Sequence, residues 1–223
     1  MATPSSSRLH QETQYLPSIK VIHKFSKPYI NDTQSLIDYS PALQHFMNML
    51  TGASLIKDTI RDIPDFPKPG IIFKDICPVL SDHHAFQTSI DLLLTNLKNQ
   101  GIEKIIGLDA RGFLFATPIA LALKVGFIPV RKKGKLPHDT LSTDYALEYG
   151  TNTVEIHKDA IQPGEKVAIV DDLLATGGTA AAAIKLIHQL GGDLISISFL
   201  IELSFLNGRE KLDCPQIHSI ITY

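Results

Sequence analysis

The stretch Val167–Thr179, VAIVDDLLATGGT, decides the fold. Four apolar residues end on two carboxylates, a short turn follows, and Thr-Gly-Gly-Thr opens an Ala-rich helix. Continuous apolar runs of this length are those of strands buried on both faces of a parallel sheet. Ligands of open α/β sheets bind beyond the carboxyl ends of such strands, and a helix N-terminus offers unpaired amides and a favourable dipole to an anion. Gly177 and Gly178 would let the backbone approach a phosphate, and Thr176 and Thr179 add hydroxyl donors. Asp171 and Asp172 then face the place where a phosphate-bearing sugar presents its hydroxyls, which carboxylates accept. The same layout also suits an ordinary strand-to-helix turn with solvated aspartates. Neither GxxxxGK[ST] nor GxGxxG occurs, which removes support for nucleoside triphosphate and dinucleotide cofactors.

Outward from this segment the chain alternates. Short apolar runs at Lys104–Leu108, Gly126–Val130, Lys166–Val170 and Leu194–Ile201 predict strands, with helices over 112–124 and 177–190 between them. Right-handed strand-helix-strand connections make this an open, mostly parallel α/β sheet with helices on both faces. Upstream, Asp82 predicts the cap of a helix whose stripe is Phe86, Ile90, Leu93, Leu94 and Leu97, ending at Gly101. The Pro-rich turn before Ile71-Ile72-Phe73 predicts a small hood over 60–80. Gly134, Pro137, Gly150, Pro163 and Gly164 break the rhythm, so 131–164 is expected to be an irregular inserted lid. Residues 1–53 read as an N-terminal extension before a domain at 54–223: a weakly ordered arm, then Ser40-Pro41 capping a short amphipathic helix. Leu43, Phe46, Met47 and Leu50 form its stripe, expected to dock on protein, and Gly52 is expected to stop it.

Composition narrows the classes. The chain has 223 residues, 44% of them hydrophobic, and a formal net charge of −2 with no dense basic stripe, which argues against nucleic acid as a partner. Cys77 and Cys214 are far apart and outside any CxxC pair, which points to a reducing, cytoplasmic compartment rather than a disulfide scaffold. No apolar run is long enough to cross a membrane. His83 and His84 read as surface residues and His138 as solvated.

Six segments in order resemble the type I phosphoribosyltransferases, and within them the adenine phosphoribosyltransferase family: IRDIPDFPKPGIIFKDICPVL (60–80), GLDARGFLFATPIA (107–120), PVRKKGKLP (129–137), YALEYGTNTVEI (145–156), VAIVDDLLATGGT (167–179) and LIELSFLNGREKL (200–212). The resemblance implies transfer of a phosphoribosyl group from 5-phosphoribosyl 1-diphosphate to adenine, giving AMP and diphosphate. It implies that Asp109, Ala110 and Arg111 hold the diphosphate, often through a non-proline cis peptide, with Ala110 where relatives commonly have Ser. Arg131, Lys132 and Lys135 would add cations, and Ala175, Thr176, Gly177, Gly178 and Thr179 would bind the phosphate below the ribose held by Asp171 and Asp172. Ile72 and Phe73 would enclose adenine, and Lys74 stands where the family usually has Arg, keeping charge without the planar fork. Glu148 and Tyr149 would close over the reacting centre, Glu148 as the proton handler and Arg111 as the second catalytic group. The resemblance further implies magnesium, carried mainly by diphosphate and ribose oxygens, and a homodimer. Two rivals keep the fold: transfer to another base, and a non-enzymatic sensor of phosphoribosyl diphosphate, which would want a basic nucleic-acid-reading appendage that residues 1–50 do not supply.

Overall fold

The computed structural model describes residues 41–146 and 151–223, and the unit containing all described elements spans Tyr39–Tyr223. Seven strands form one sheet in the order β5-β6-β4-β3-β7-β8-β9. Its centre is parallel: β3 (Lys104–Leu108) lies between β4 (Gly126–Lys132) and β7 (Lys166–Leu174), and β8 (Asp193–Glu202) and β9 (Ile217–Thr222) continue it.

Successive residues of a strand point to opposite faces, and the two faces bury different helices. Ile105, Ala168, Val170 and Leu200 pack with α1 (Pro41–Thr59), α3 (His83–Thr95) and α4 (Gly112–Leu123). Ile106, Val167, Ile169, Ile197 and Phe199 pack with α5 (Gly178–Gln189). The open, mostly parallel sheet with helices on both faces is therefore present as the apolar runs indicate. Asp82 caps α3 by accepting from the Ala85 N–H at 2.7 Å. One strand that the sequence reading missed is β9, a short edge run whose apolar content is diluted by His218 and Ser219.

Three elements differ from the sequence reading. Gly52 does not stop the first helix: α1 continues to Thr59 and carries the chain across residue 53, where the extension was expected to end. A Cβ at Gly52 would lie 2.9 Å from Thr88 Cγ2, so glycine serves here to bring α1 close to α3. The face that docks holds Met49, Ala53, Ile56 and Ile60, whereas Phe46, Met47 and Leu50 of the expected stripe are exposed. Ser40 and the 1–35 arm lie outside the described residues.

The 131–164 interval, expected as irregular, contains β5 (Thr140–Ala146) and β6 (Thr151–His157), an antiparallel hairpin that extends the sheet. Leu141 and Tyr145 point inward and Ser142 and Asp144 outward, the alternation of a half-buried strand. Pro129 has no N–H to donate, and β6 joins β4 only beyond it, at Arg131↔Glu155 and Lys132↔Val154. The 60–80 segment is a separate two-stranded hood: β1 (Arg61–Pro64) pairs antiparallel with β2 (Ile72–Asp75) before the short α2 (Cys77–Ser81). Finally, β7 runs past Asp171 and Asp172 to Leu174, so the carboxylates are not at its end.

Candidate active site

Three chain segments meet where β3 and β7 finish. After β3, the Asp109-Ala110 peptide is cis, the Asp109 N–H donates to Val130 O at 3.0 Å, and Arg111 begins α4. Arg111 Nη2 lies 2.7 Å from Asp172 Oδ2 as an ion pair. That oxygen is buried and has no aligned hydrogen-bond donor, so it retains acceptor capacity. Asp171 Oδ1 accepts from the Asp172 N–H at 2.9 Å. A Cβ at Gly112 would fall 2.5 Å from the same Oδ1, so only glycine allows α4 to start this close to β7.

The two carboxylates are electrostatically costly. Burial pushes Asp171 well above the ordinary carboxylate range, and the neighbouring Asp172 charge pushes it further. Burial also raises Asp172, with Arg111 opposing it. Adjacent carboxylates raised in this way lower stability and mark a candidate ligand site.

The turn between β7 and α5, the sequence's candidate phosphate turn, is built by interlocked glycines. Gly177 has φ +76, and a Cβ there would meet Gly208 O at 2.3 Å. A Cβ at Gly208 would meet Ala175 O at 2.1 Å. The two turns thus close on each other through backbone alone, and no side chain caps α5. The amides of its first turn remain free for an anion, flanked by the half-buried Thr176 and Thr179. Arg209 braces the second turn: its guanidinium binds the Glu202 carboxylate through two nitrogens, and Nη1 donates to Ile217 O at 2.9 Å. Glu202 also accepts from Ser219 Oγ at 2.6 Å, and Arg209 leads the causes that lower its pKa.

On the opposite side, Arg131 Nε donates to Asp109 Oδ2 at 3.2 Å and Nη1 to Lys135 O at 3.2 Å. The turn carrying these cations is fixed by Glu155, whose Oε1 accepts from the Lys135 and Leu136 N–H groups at 2.9 and 3.0 Å. Burial works to raise its pKa, but backbone donors from Leu136, Gly134 and Lys135 outweigh that and leave it lowered. The Lys132 and Lys135 side chains are exposed.

The hood reaches the same centre through Phe73, whose ring centroid lies 5.2 Å from Arg111 Cζ and 5.2 Å from the Phe66 ring. Ile72 beside it is 57% exposed. Lys74 faces away: its Nζ lies 2.7 and 2.9 Å from the Asp62 carboxylate oxygens and 3.8 Å from the Tyr223 ring centroid. The structure therefore brings together Phe73, Arg111, Asp109, Arg131, Asp171 and Asp172, and commits Lys74 elsewhere. Glu148 and Tyr149 lie outside the described residues; the flanking Ala146 and Thr151 pair across β5 and β6.

Sequence reasoning missed Glu155, Glu202, Arg209 and Gly208. The GRE run 208–210 sits within one of the resembling segments, but nothing local says that Gly208 touches Gly177. A Glu between Val154 and Ile156 on an apolar strand was the one legible hint of a buried carboxylate.

Residues 80–212 match the phosphoribosyl transferase domain family. An adenine phosphoribosyltransferase of Halothermothrix orenii is 57% identical over 166 residues, which are 74% of this chain and 98% of that protein. The chain belongs to the adenine phosphoribosyltransferase family. Two crystal structures of the family agree in fold: that from Thermoanaerobacter pseudethanolicus, 57% identical with TM-score 0.75, covers 77% of this chain and 99% of its own. That from Saccharomyces cerevisiae, bound to an imino-altritol bisphosphate and adenine, is 44% identical with TM-score 0.72, over 75% of this chain and 97% of its own. The activity is that of the family, transfer of a phosphoribosyl group to adenine in purine salvage. Among the described residues no helix is long and apolar enough to cross a membrane.

Proposed function

We propose that the residues converging on β3 and β7 divide the reaction by charge. Adenine and 5-phosphoribosyl 1-diphosphate are the substrates, with AMP and diphosphate the products. The 5-phosphate sits on the free amides of Ala175–Thr179, and the ribose hydroxyls donate to Asp171 and Asp172. The diphosphate lies on the Asp109-Ala110-Arg111 loop, with Arg131, Lys132 and Lys135 as further cations. Adenine lies at Ile72 and Phe73. The observation that carries this order is the line from the Phe73 ring through Arg111 to Asp172, at 5.2 Å and 2.7 Å, which sets base hood, cation and carboxylate side by side.

The chemistry follows from that order. As the bond to diphosphate breaks, negative charge grows on the leaving group and positive charge on the anomeric carbon. Preorganised groups aimed at developing charge are the largest single source of rate enhancement in such sites. Arg111 faces the first charge and the two aspartates the second. Ribose hydroxyl donors would satisfy Asp172 Oδ2, which lacks an aligned donor, and so favour the ionised pair when substrate is bound.

Magnesium fits as a substrate-borne ion. The hard oxygen donors beside the proposed diphosphate and ribose positions are the Asp109, Asp171 and Asp172 carboxylates, a chemistry that suits a hard divalent cation carried by substrate oxygens. When bound, the ion would supply charge neutralisation at the diphosphate. Exposed apolar side chains of α4, Leu114 and Leu121, would gain cover in a homodimer, which light scattering tests. The two free thiols, Cys77 and Cys214, support a cytoplasmic location.

Glu148 is the proton handler at the purine ring in this scheme, with Tyr149 beside it closing the site. In single-turnover kinetics Glu148→Gln loses about 100- to 10,000-fold in the chemical step while adenine affinity changes little. Tyr149→Phe serves as the closure control. A near-normal chemical step in the Gln variant removes Glu148 from catalysis.

A further inference from the structure

The hood is joined to the rest of the site by a residue outside all the site motifs. Tyr223 presents its ring to Lys74 of β2, with Nζ 3.8 Å from the centroid, and to Lys57 of α1 at 5.1 Å. Its backbone is anchored on the sheet: its N–H donates to Glu202 O at 2.9 Å, and its carbonyl accepts from the Ser204 N–H at 3.0 Å and Ser204 Oγ at 2.7 Å. One residue earlier, the Leu203 N–H donates to Leu174 O at 2.9 Å, directly below the phosphate turn. Glu202 is the carboxylate that Arg209 clamps. The ring is thus fixed by the same segment that seats the phosphate turn.

On the hood side, Phe73 and Lys74 are neighbours on β2 and point to opposite faces. Holding Lys74 from behind sets the direction of Phe73 in front, where its ring meets Arg111. The ends of the 60–80 segment are tied to the core by buried Ile60, Ile76 and Val79, but the ribbon between them, which carries Phe73, is largely exposed. Its two strands have four residues each, and its ion pairs Arg61–Asp75 and Lys74–Asp62 each have one exposed partner. Exposed pairs of this kind hold a geometry weakly. A cation within about 6 Å of an aromatic face is attracted to it, more strongly when partly desolvated, and the Lys74 side chain is only 12% exposed.

We propose that Tyr223 is a positioning residue for the base pocket: its ring face holds Lys74 and so sets Phe73 over the site at a fixed distance from the phosphate turn. This rests on the reading that adenine lies at Phe73. It also gives a use to lysine at position 74, whose ammonium meets the ring and Asp62 together.

The test is steady-state kinetics of the full chain with both substrates varied, for Tyr223→Leu, Tyr223→Phe, Lys74→Met and Phe73→Ala. Loss of the aromatic face in Tyr223→Leu raises KM for adenine about three- to thirtyfold, with KM for phosphoribosyl diphosphate within about twofold of wild type. Tyr223→Phe keeps the face and stays near wild type. Lys74→Met raises KM for adenine at least as much, since it removes the ring contact and the Asp62 ion pair together, and the double variant is no worse than Lys74→Met alone because the ring contact is already lost there. If Tyr223→Leu fails to fold, Lys74→Met reads the same contact from the hood side. An unchanged KM for adenine in Tyr223→Leu or Lys74→Met, alongside a raised one in Phe73→Ala, overturns the proposal and leaves the base site in place. Equal loss in both substrates with a lowered melting temperature assigns Tyr223 a structural role and also overturns it. An unchanged KM for adenine in Phe73→Ala removes the base site, and the proposal with it.

Discussion

The phosphate turn and the hood do parallel jobs by opposite means. At the phosphate turn, contact is backbone to backbone: Gly177 against Gly208, and Gly208 against Ala175. Gly177 and Gly208 are both buried, and close-packed atoms cannot shift without moving their neighbours. At the hood, a two-stranded ribbon is held by side chains, namely Arg61 on Asp75, Lys74 on Asp62 and the Tyr223 ring. An isolated two-stranded hairpin is marginal in water, so its position is tunable. The lesson is that the turn between β7 and α5, the proposed phosphoribosyl side, is preformed by packing, whereas the ribbon proposed for the base is set by side chains and open to adjustment.

That contrast is most exposed at Gly177. Gly177→Ala puts a Cβ against Gly208 O in a left-handed backbone conformation, at a cost of about 1 to 3 kcal/mol in stability. It also displaces the α5 amides, and kcat/KM for phosphoribosyl diphosphate should fall about 100-fold. Denaturant unfolding and steady-state kinetics check both parts. Normal turnover in this variant would show that the turn is not rigid and remove the contrast.

Asp171→Asn should split stability from binding. Because the folded pKa of Asp171 is raised, the folded state holds its proton more tightly than the unfolded one. Its contribution to stability is complete below the ordinary value of 3.8 and is lost as pH rises through the raised folded value. Removing the charge should therefore raise the melting temperature at pH 7, with the difference closing below pH 3.8. Affinity for phosphoribosyl diphosphate should drop about ten- to hundredfold, since a charged acceptor is lost. Calorimetric scans across pH and titration calorimetry measure the two effects, and a lowered melting temperature at neutral pH would contradict the electrostatic reading.

The smallest effect belongs to the hood. Asp75 is lowered to about 2, first by its hydrogen bonds from Cys77 and then by Arg61, and the Cys77 N–H donates to it at 2.9 Å. A depressed folded pKa gives stability that is present above 3.8 and lost as pH falls through about 2. Asp75→Asn should lower the melting temperature slightly at pH 6, and the difference from wild type should shrink steadily as pH falls from 3.8 through about 2. A difference that does not shrink over that range would mean that the side chain acts through shape rather than charge.

The two regions also differ in how far they could be read in advance. At the phosphate turn every signal is local: apolar strand, acidic pair, Thr-Gly-Gly-Thr and helix lie within Val167–Thr179, and the structure places strand, turn and helix in that order. The Asp82 cap and the Lys104–Leu108 strand were legible for the same reason, because turn chemistry and periodicity are properties of a few adjacent residues. Gly52 misled because a glycine in a helical pattern has two meanings, a stop or a close approach, and only the neighbouring Thr88 distinguishes them. The inserted interval misled because Gly134, Pro137, Pro163 and Gly164 lie outside the two paired strands, which run through the polar-apolar alternation between them.

What the sequence alone determined, then, was the alternating α/β architecture, the Gly-rich turn between β7 and α5 and the acidic pair before it, all encoded over spans of a dozen residues. The tertiary structure alone decided which way Lys74 turns, that Gly208 meets Gly177, that Glu155 holds the cationic turn, and that β9 closes the sheet edge and brings Tyr223 to the hood. Each of these depends on a partner distant in the chain, and chain separation carries no local signature: the same lysine on the same strand would serve the site or the ring according to what packs behind it.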